Sequence, residues 1–139
     1  MMRVVIDTNV FVSALLSPLG SPARVIDLLS ADRIVVLYDD RLIGEYLAVL
    51  SRPKFGFARL TVRLFVDSIR MKGELVFAPP VSIELPDRDD LPFLEVALAG
   101  EAEGIVTGNG KHFVPTSGHH GVPIWSPAEF LERFAADNG

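Results

Sequence analysis

Residues 4–13 read VVIDTNVFVS, an apolar run that is interrupted by a carboxylate, a hydroxyl and an amide. The run before the interruption is β-branched and lacks polar alternation, so we expect residues 3–6 to form a strand that is covered on both faces. Asp7 then follows the carboxyl end of this strand, where ligands bind in open parallel α/β sheets. Asp, Thr and Asn also form turns and cap helices, so the stretch alone leaves a structural and a chemical interpretation open.

The overall composition indicates a single domain over residues 1–139. The chain is 49% hydrophobic and long enough to bury a core. It has no apolar run of membrane-spanning length and no signal-peptide pattern at its start, so we expect a cytoplasmic protein that does not associate with membranes. The chain contains no cysteine, so any bound metal would need oxygen or nitrogen ligands.

Short apolar segments alternate with helix signals along the chain, which is typical of an α/β protein with a mostly parallel sheet. Strands are expected at residues 3–6, 34–38, 74–77, 104–107 and 122–125. Helices are expected at residues 21–31, 41–50, 61–72 and 93–102. A last helix should start after the capping box at 126–129. We expect the helix over 61–72 to stop at Gly73 in a left-handed conformation.

Several acidic side chains occur where the predicted elements leave them without an obvious structural role. Glu45 shares the otherwise apolar face of its helix, where an ionised carboxylate needs a cation, a proton or access to solvent. Asp87, Asp89 and Asp90 precede a helix that should be buried. One Asp at a helix start is favoured by the helix dipole, but three repel one another. Helical spacing directs Asp90 towards the interior.

Asn109 follows the predicted fourth strand in the same way that Asp7 follows the first. Together with Glu45 and Asp90, these residues could converge in one cleft with only oxygen ligands. Such ligands suit Mg²⁺ or Mn²⁺. These ions polarise phosphoryl oxygens and generate hydroxide from water.

Four segments in order resemble the PIN-domain superfamily, specifically the small toxin-like PIN proteins of prokaryotic toxin–antitoxin systems. They are VVIDTNVFVSALL, EYLAVLSRPKF, DDLPFLEVALAGEAEGIVTGNGKHF and PIWSPAEFL. The resemblance implies a three-layer α/β/α fold with a parallel sheet of about five strands in the order 3-2-1-4-5. It also implies an endoribonuclease that requires Mg²⁺ or Mn²⁺, a small antitoxin as partner and a homodimer.

By the same resemblance, the acidic residues of the family fall on Asp7, Glu45 and Asp90, which would bind the metal. The fourth catalytic position falls on Asn109. Many relatives have Asp there, and the amide lowers the anionic charge of the predicted site by one.

The residues expected to support the site by resemblance or by position are Thr8, Asn9 and Asp89. Thr8 and Asn9 match the supporting positions of the family, and we expect them to orient the site rather than to bind the metal. Asp89 is the neighbour of the expected ligand Asp90.

The charge distribution suggests a path for RNA. The net charge is −5, but residues 52–72 carry six basic residues against Asp67, a local charge of +5 that leaves −10 for the rest. The residues expected to bind RNA are Arg52, Lys54, Arg59, Arg63 and Lys111. A solvated helix face is the alternative explanation. Phe55 and Phe57 lie between basic residues and could stack a base, with core packing as the alternative.

Other protein classes fit the sequence less well. A haloacid-dehalogenase phosphotransferase needs a second Asp two residues after the first, where this chain has Asn9. A receiver domain needs a Lys after its last strand, and none occurs in residues 122–127. The alternative from another functional class is a catalytically silent PIN domain that binds a partner.

Overall fold

The computed structural model describes residues 1–115 and 120–138. In these residues, five parallel strands form a sheet with the order 3-2-1-4-5, flanked by helices. The strands are β1 (Met2–Ile6), β2 (Ile34–Tyr38), β3 (Glu74–Leu75), β4 (Gly104–Val106) and β5 (Ile124–Trp125). The predicted fold class and strand order are therefore confirmed.

Helices connect the strands and cover the sheet. They are α1 (Thr8–Leu16), α2 (Ser21–Ser30), α3 (Asp40–Leu50), α4 (Arg59–Lys72), α5 (Leu91–Ala99) and α6 (Pro127–Asn138). Single-turn 3₁₀ helices occupy Pro53–Phe55, Arg88–Asp90 and Gly110–Phe113. Helices α1 and α6 pack on α2, whereas α3 packs on α4. Within the described ranges, no helix combines the length and the apolar character needed to span a bilayer.

The central strand β1 decides where the functional residues lie. It pairs with β2 on one side and β4 on the other, with Ile6 opposite Val106. Val4, Val5 and Ile6 are fully buried, as expected for a strand covered on both faces. Because β1 and β4 are parallel neighbours, their carboxyl ends lie side by side at the point where the strand order reverses.

Polar side chains begin two of the helices as the sequence indicates. Asp39 caps α3, since its Oδ1 accepts the backbone N–H groups of Arg41 and Leu42 at 3.0 and 3.1 Å. The capping box before α6 is also present. Its Glu129 Oε1 accepts the N–H of Ser126 at 2.8 Å, and its Ser126 Oγ accepts the N–H of Glu129 at 3.1 Å. Both helix starts are therefore fixed locally.

Gly73 ends α4 for a different reason from the one predicted. Its φ and ψ of −85° and −176° are extended rather than left-handed. A Cβ atom at this position would lie 2.5 Å from the carbonyl oxygen of Val36 and 2.7 Å from that of Ile69. Glycine is needed here because the chain passes close to β2 and to the last turn of α4.

Several element ends also differ from prediction. The strands expected at 74–77 and 122–125 are each two residues long, and the helix expected at 93–102 starts and ends earlier, as Leu91–Ala99. The chain leaves this helix through Glu101, whose φ is +52°. The apolar pattern of the sequence continues past Ala99, so it did not predict that the helix ends there.

Candidate active site

A cavity of about 420 Å³ lies at the carboxyl ends of β1 and β4. Its lining includes the four residues that the sequence analysis singled out as catalytic, namely Asp7, Glu45, Asp90 and Asn109. These side chains come from the end of β1, the middle of α3, the start of α5 and the loop after β4. The parallel sheet therefore brings together residues that are distant in the sequence.

Asp7 caps the first helix and also lines the cavity. Its Oδ1 accepts the N–H of Thr8 at 2.8 Å and so caps α1. Its Oδ2 accepts hydrogen bonds from the Thr107 hydroxyl at 2.8 Å and from Asn9 Nδ2 at 3.0 Å. The residue is only 6% exposed, and burial raises the pKa of its carboxyl group despite these hydrogen bonds.

Asn9 and Thr107 connect the loops that follow β1 and β4. Asn9 Oδ1 accepts the N–H of Gly108 at 3.0 Å, and Thr107 Oγ1 accepts the N–H of Asn109 at 3.0 Å. The two side chains thus fix both the Asp7 carboxylate and the backbone that carries Asn109. Thr107 was not among the residues predicted from the sequence to belong to the site. The sequence feature that could have identified Thr107 is its position as a polar residue at the end of the strand that was expected to pair with β1.

Asp90 lies at the start of α5, but its side chain makes no capping hydrogen bond there. Its Oδ2 is buried and accepts no hydrogen bond within the described residues. The Nδ1 atom of His112 lies 3.5 Å from this oxygen, a contact that is an ion pair only when the imidazole ring is protonated. Burial, followed by the negative charges of Asp7 and Asp87, raises the pKa of Asp90 from 3.8 to about 6. The structural role of a helix cap therefore does not account for this carboxylate.

Glu45 is half-buried on α3 and lines the cavity. Burial raises the pKa of its carboxyl group, and the positive charge of Arg52 acts in the opposite direction. The next residue, Tyr46, is fully buried and donates a hydrogen bond of 2.6 Å to the carbonyl oxygen of Ile6. This bond ties α3 to the end of β1 and so places Glu45 near Asp7.

The donor set fits a hard divalent cation. Among the residues that the structure describes, no three acidic or histidine side chains form a ready-made metal-binding group. The cavity does, however, gather oxygen donors, and one buried carboxylate oxygen of Asp90 lacks a partner. Mutual repulsion also contributes to the raised pKa values of Glu45 and Asp90. A cation such as Mg²⁺ or Mn²⁺ would supply the missing positive charge.

The other expected supporting residues are close to these carboxylates. Thr8 and Asp89 line the same cavity. Thr8 is buried and its Oγ1 has no hydrogen-bond partner within the described part of the chain. Asp89 is exposed, and its N–H donates to the side chain of Asp87 at 2.9 Å.

The structure separates the residues that were expected to bind RNA. Arg52 lines the cavity. Lys54 is exposed on the neighbouring 3₁₀ turn, whereas Arg59 and Arg63 are exposed on α4 and do not line the cavity. Lys111 is exposed in the 3₁₀ helix that follows Asn109. One of the five therefore lies within the cavity, and four lie outside its lining.

A buried ion pair near the site was not predicted. Glu95 on α5 is 3% exposed, and its Oε1 accepts a hydrogen bond of 2.6 Å from Arg41 Nη1 on α3. Its Oε2 accepts the N–H of Val81 at 2.8 Å. The sequence marked Glu95 as the polar exception on a buried helix but gave no indication of its partner. The pair joins the helix that carries Glu45 to the helix that begins after Asp90.

Comparison with known proteins agrees with this architecture. A family model described as PIN domain matches residues 3–111, a span that contains all four candidate catalytic residues. An uncharacterized protein of Methanocaldococcus jannaschii is 29% identical over an alignment of 146 positions that spans 95% of this chain and 91% of that protein. Together with the strand order and the acidic cavity, the family match shows that this chain belongs to the PIN-domain family, whose members are generally nucleases.

Proposed function

We propose that the protein is an endoribonuclease that hydrolyses RNA phosphodiester bonds with Mg²⁺ or Mn²⁺. The observation that carries the proposal is the buried Asp90 oxygen without a hydrogen-bond donor, in a cavity shared with Asp7, Glu45 and Asn109. This oxygen is buried without a hydrogen bond, and His112 Nδ1 at 3.5 Å does not donate one, so a bound cation would stabilise the ionised carboxylate. An oxygen-lined cation site in a family of nucleases supports phosphodiester hydrolysis.

In this proposal, Asp7, Glu45 and Asp90 hold the cation. When bound, it polarises a phosphoryl oxygen and lowers the pKa of water. Asn9 and Thr107 keep the Asp7 carboxylate in place through their hydrogen bonds to its Oδ2. Asn109 is exposed at the cavity, where its amide can orient water or substrate.

The direct test is Asp7→Asn, with Asp27→Asn as a matched control because Asp27 is an exposed carboxylate on α2. Mn²⁺ binding is measured by calorimetry, and cleavage of a single-stranded RNA is measured with and without EDTA. We expect the parent and the control to bind Mn²⁺ and to cleave only with metal. Asp7→Asn should remain folded by circular dichroism and lose cleavage. Cleavage by the parent in EDTA, or by a purified Asp7→Asn protein, would refute the proposal.

We propose that RNA reaches the cavity along Arg52, Lys54, Arg59, Arg63 and Lys111. With about three or four phosphate contacts, the slope of log K against log[salt] should be on the order of −2 to −3. Each change of one of these residues to alanine should reduce the slope by about 0.7. Binding is measured with the Asp7→Asn protein. If affinity and slope are unchanged when Arg52, Lys54, Arg59 and Arg63 are all replaced by alanine, this path for RNA is wrong. That result would not bear on the proposed metal site.

One observation favours the alternative function of a catalytically silent partner-binding domain. It is the lack of a ready-made metal-binding group in the ranges 1–115 and 120–138. A Mn²⁺ titration of the parent separates the two functions. Saturable binding that Asp7→Asn abolishes supports the nuclease, and no binding at millimolar Mn²⁺ supports the silent domain.

The toxin role, the antitoxin partner, the homodimer and the cytoplasmic location are proposals that rest on resemblance and composition. Induced expression should arrest growth with the parent but not with Asp7→Asn if the protein is a toxin. Light scattering during gel filtration gives the mass of the assembly directly, and a monomer would contradict the dimer.

A further inference from the structure

One aromatic side chain at the acidic cavity does not belong to the hydrophobic core of the described residues. Phe55 lines the cavity together with the acidic residues and Arg52. It ends the 3₁₀ turn Pro53–Phe55, which contains no buried residue. In the described chain, the hydrophobic core includes Phe57 as a partly buried member but does not include Phe55. The core packing that the sequence left open therefore applies to Phe57 and not to Phe55.

The Phe55 ring is held on a firm support. The N–H of Phe55 donates to the carbonyl of Arg52 at 3.1 Å, and the N–H of Gly56 donates to that of Pro53 at 3.1 Å. Gly56 has a φ of +69°, which allows the chain to reverse immediately after the ring. The rings of Phe55 and Phe57 are nearly parallel, with centroids 5.7 Å apart and an interplanar angle of 17°. Phe57 thus backs Phe55 with a side chain that is anchored in the core.

Cationic side chains flank the same ring. Lys54 Nζ lies 5.1 Å from the centroid of Phe55, within the range of a cation–π contact. Lys54 is exposed, so its long side chain can leave the ring at little energetic cost. Arg52 lines the same cavity as Phe55 and Glu45, and its charge acts on Glu45. An aromatic face next to basic side chains is the combination that binds single-stranded nucleic acids.

We propose that Phe55 is a base-stacking subsite for an unpaired nucleobase of the substrate. The base takes the place of the Lys54 ammonium group on the ring, and Lys54 and Arg52 contact the adjoining phosphates. The inference rests on the proposed function, because it assigns the neighbouring phosphate to the acidic cavity. It specifies the substrate class as single-stranded RNA, since a base inside a duplex offers no free face.

The test measures binding to the Asp7→Asn protein in EDTA, so that neither metal nor cleavage is required. The probe is a labelled single-stranded oligoribonucleotide, used intact and as a series in which each position in turn is abasic. Phe55→Leu removes the aromatic face and keeps apolar volume, whereas Phe55→Trp keeps an aromatic face. Phe77→Leu is the matched control, because Phe77 is 92% exposed and does not line the cavity.

We expect Phe55→Leu to weaken binding of the intact oligonucleotide about tenfold, and Phe55→Trp and Phe77→Leu to leave it within about twofold. With the probe that lacks the base facing the ring, Phe55→Leu should not weaken binding any further. We call this dependence of the Phe55→Leu effect on one base the coupling. An equal loss with the intact and all abasic probes, or no loss at all, overturns the subsite. If this coupling is found but the parent cleaves no RNA with Mn²⁺, the nuclease proposal fails and the subsite stands. If the parent cleaves but no coupling is found, only the subsite fails.

Discussion

Replacing Arg41 with alanine should destabilise the protein more than replacing its partner Glu95 with glutamine. Glu95 is 3% exposed, whereas the side chain of Arg41 is 43% exposed. Arg41→Ala therefore leaves a buried carboxylate whose remaining donor is the N–H of Val81. Glu95→Gln leaves a guanidinium that still reaches solvent and the Asp39 carboxylate, 2.8 Å from its Nη2.

The magnitudes follow from this asymmetry. Breaking a buried ion pair by removing one partner typically lowers the free energy of unfolding by about 3–5 kcal/mol. For Arg41→Ala we expect the lower end, about 3 kcal/mol, because the Glu95 carboxylate keeps its hydrogen bond from the Val81 N–H. Loss of one charge-assisted hydrogen bond gives about 1.5 kcal/mol for Glu95→Gln. Replacing both residues with methionine should lower the free energy of unfolding by about 1 kcal/mol or less, because no buried charge is left. The single effects should therefore not add.

The assay is urea unfolding followed by circular dichroism in EDTA. Arg24→Ala serves as a control, because this exposed arginine on α2 should contribute less than about 0.5 kcal/mol. A smaller loss of stability for Arg41→Ala than for Glu95→Gln would refute the reasoning. So would a double methionine variant that loses as much as the Arg41→Ala protein.

Three other predictions concern the cavity and the sheet. The pKa of Asp90 is raised from 3.8 to about 6, so its contribution to stability is present at low pH and is lost as the pH rises through about 6. In EDTA, the melting temperature of the parent should therefore rise relative to that of Asp90→Asn as the pH is lowered from 7.5 to 5.5. An equal difference in melting temperature at both pH values would contradict this. Asn109→Asp should tighten Mn²⁺ binding in calorimetry, whereas Asn109→Leu should lose RNA cleavage, and full activity of the leucine variant would exclude a site role. Gly104→Ala should destabilise by about 1–3 kcal/mol, because the new Cβ would lie 2.4 Å from the Trp125 ring. Urea unfolding followed by tryptophan fluorescence measures this loss, and an unchanged midpoint would argue against the close approach.

Local signals in the sequence account for most of the fold. The β-branched runs of β1 and β2 and the capping box before α6 each act over a few residues, and each lies where it was predicted. The ends of β3 and β5 were less predictable, because pairing with a neighbour decides where such short strands stop. The resemblance supplied the strand order, and the sheet then places Asp7 and Asn109 at one cavity.

Side-chain partnerships over long sequence separations were the part that could not be predicted. Arg41 and Glu95 are 54 positions apart, and the sequence around either residue does not indicate that they pair. The need for glycine at 73 arises from two carbonyl oxygens, and one of them belongs to β2, far away in the sequence. The positions of Arg59 and Arg63 outside the cavity lining depend on the packing of α4, which a count of charges does not contain.

The hydrogen bond between Asp7 and Thr107 spans 100 residues, and this sets the order of events when the chain is synthesised. The ribosome produces Asp7 well before β4, the strand that lies beside β1 in the folded sheet. Until then the growing chain lacks the Thr107 hydroxyl and the backbone that carries Asn109. A nascent chain of this protein therefore carries Asp7, Glu45 and Asp90 before the cavity that they line is complete, and the cavity forms only after β4 and Asn109 have been translated.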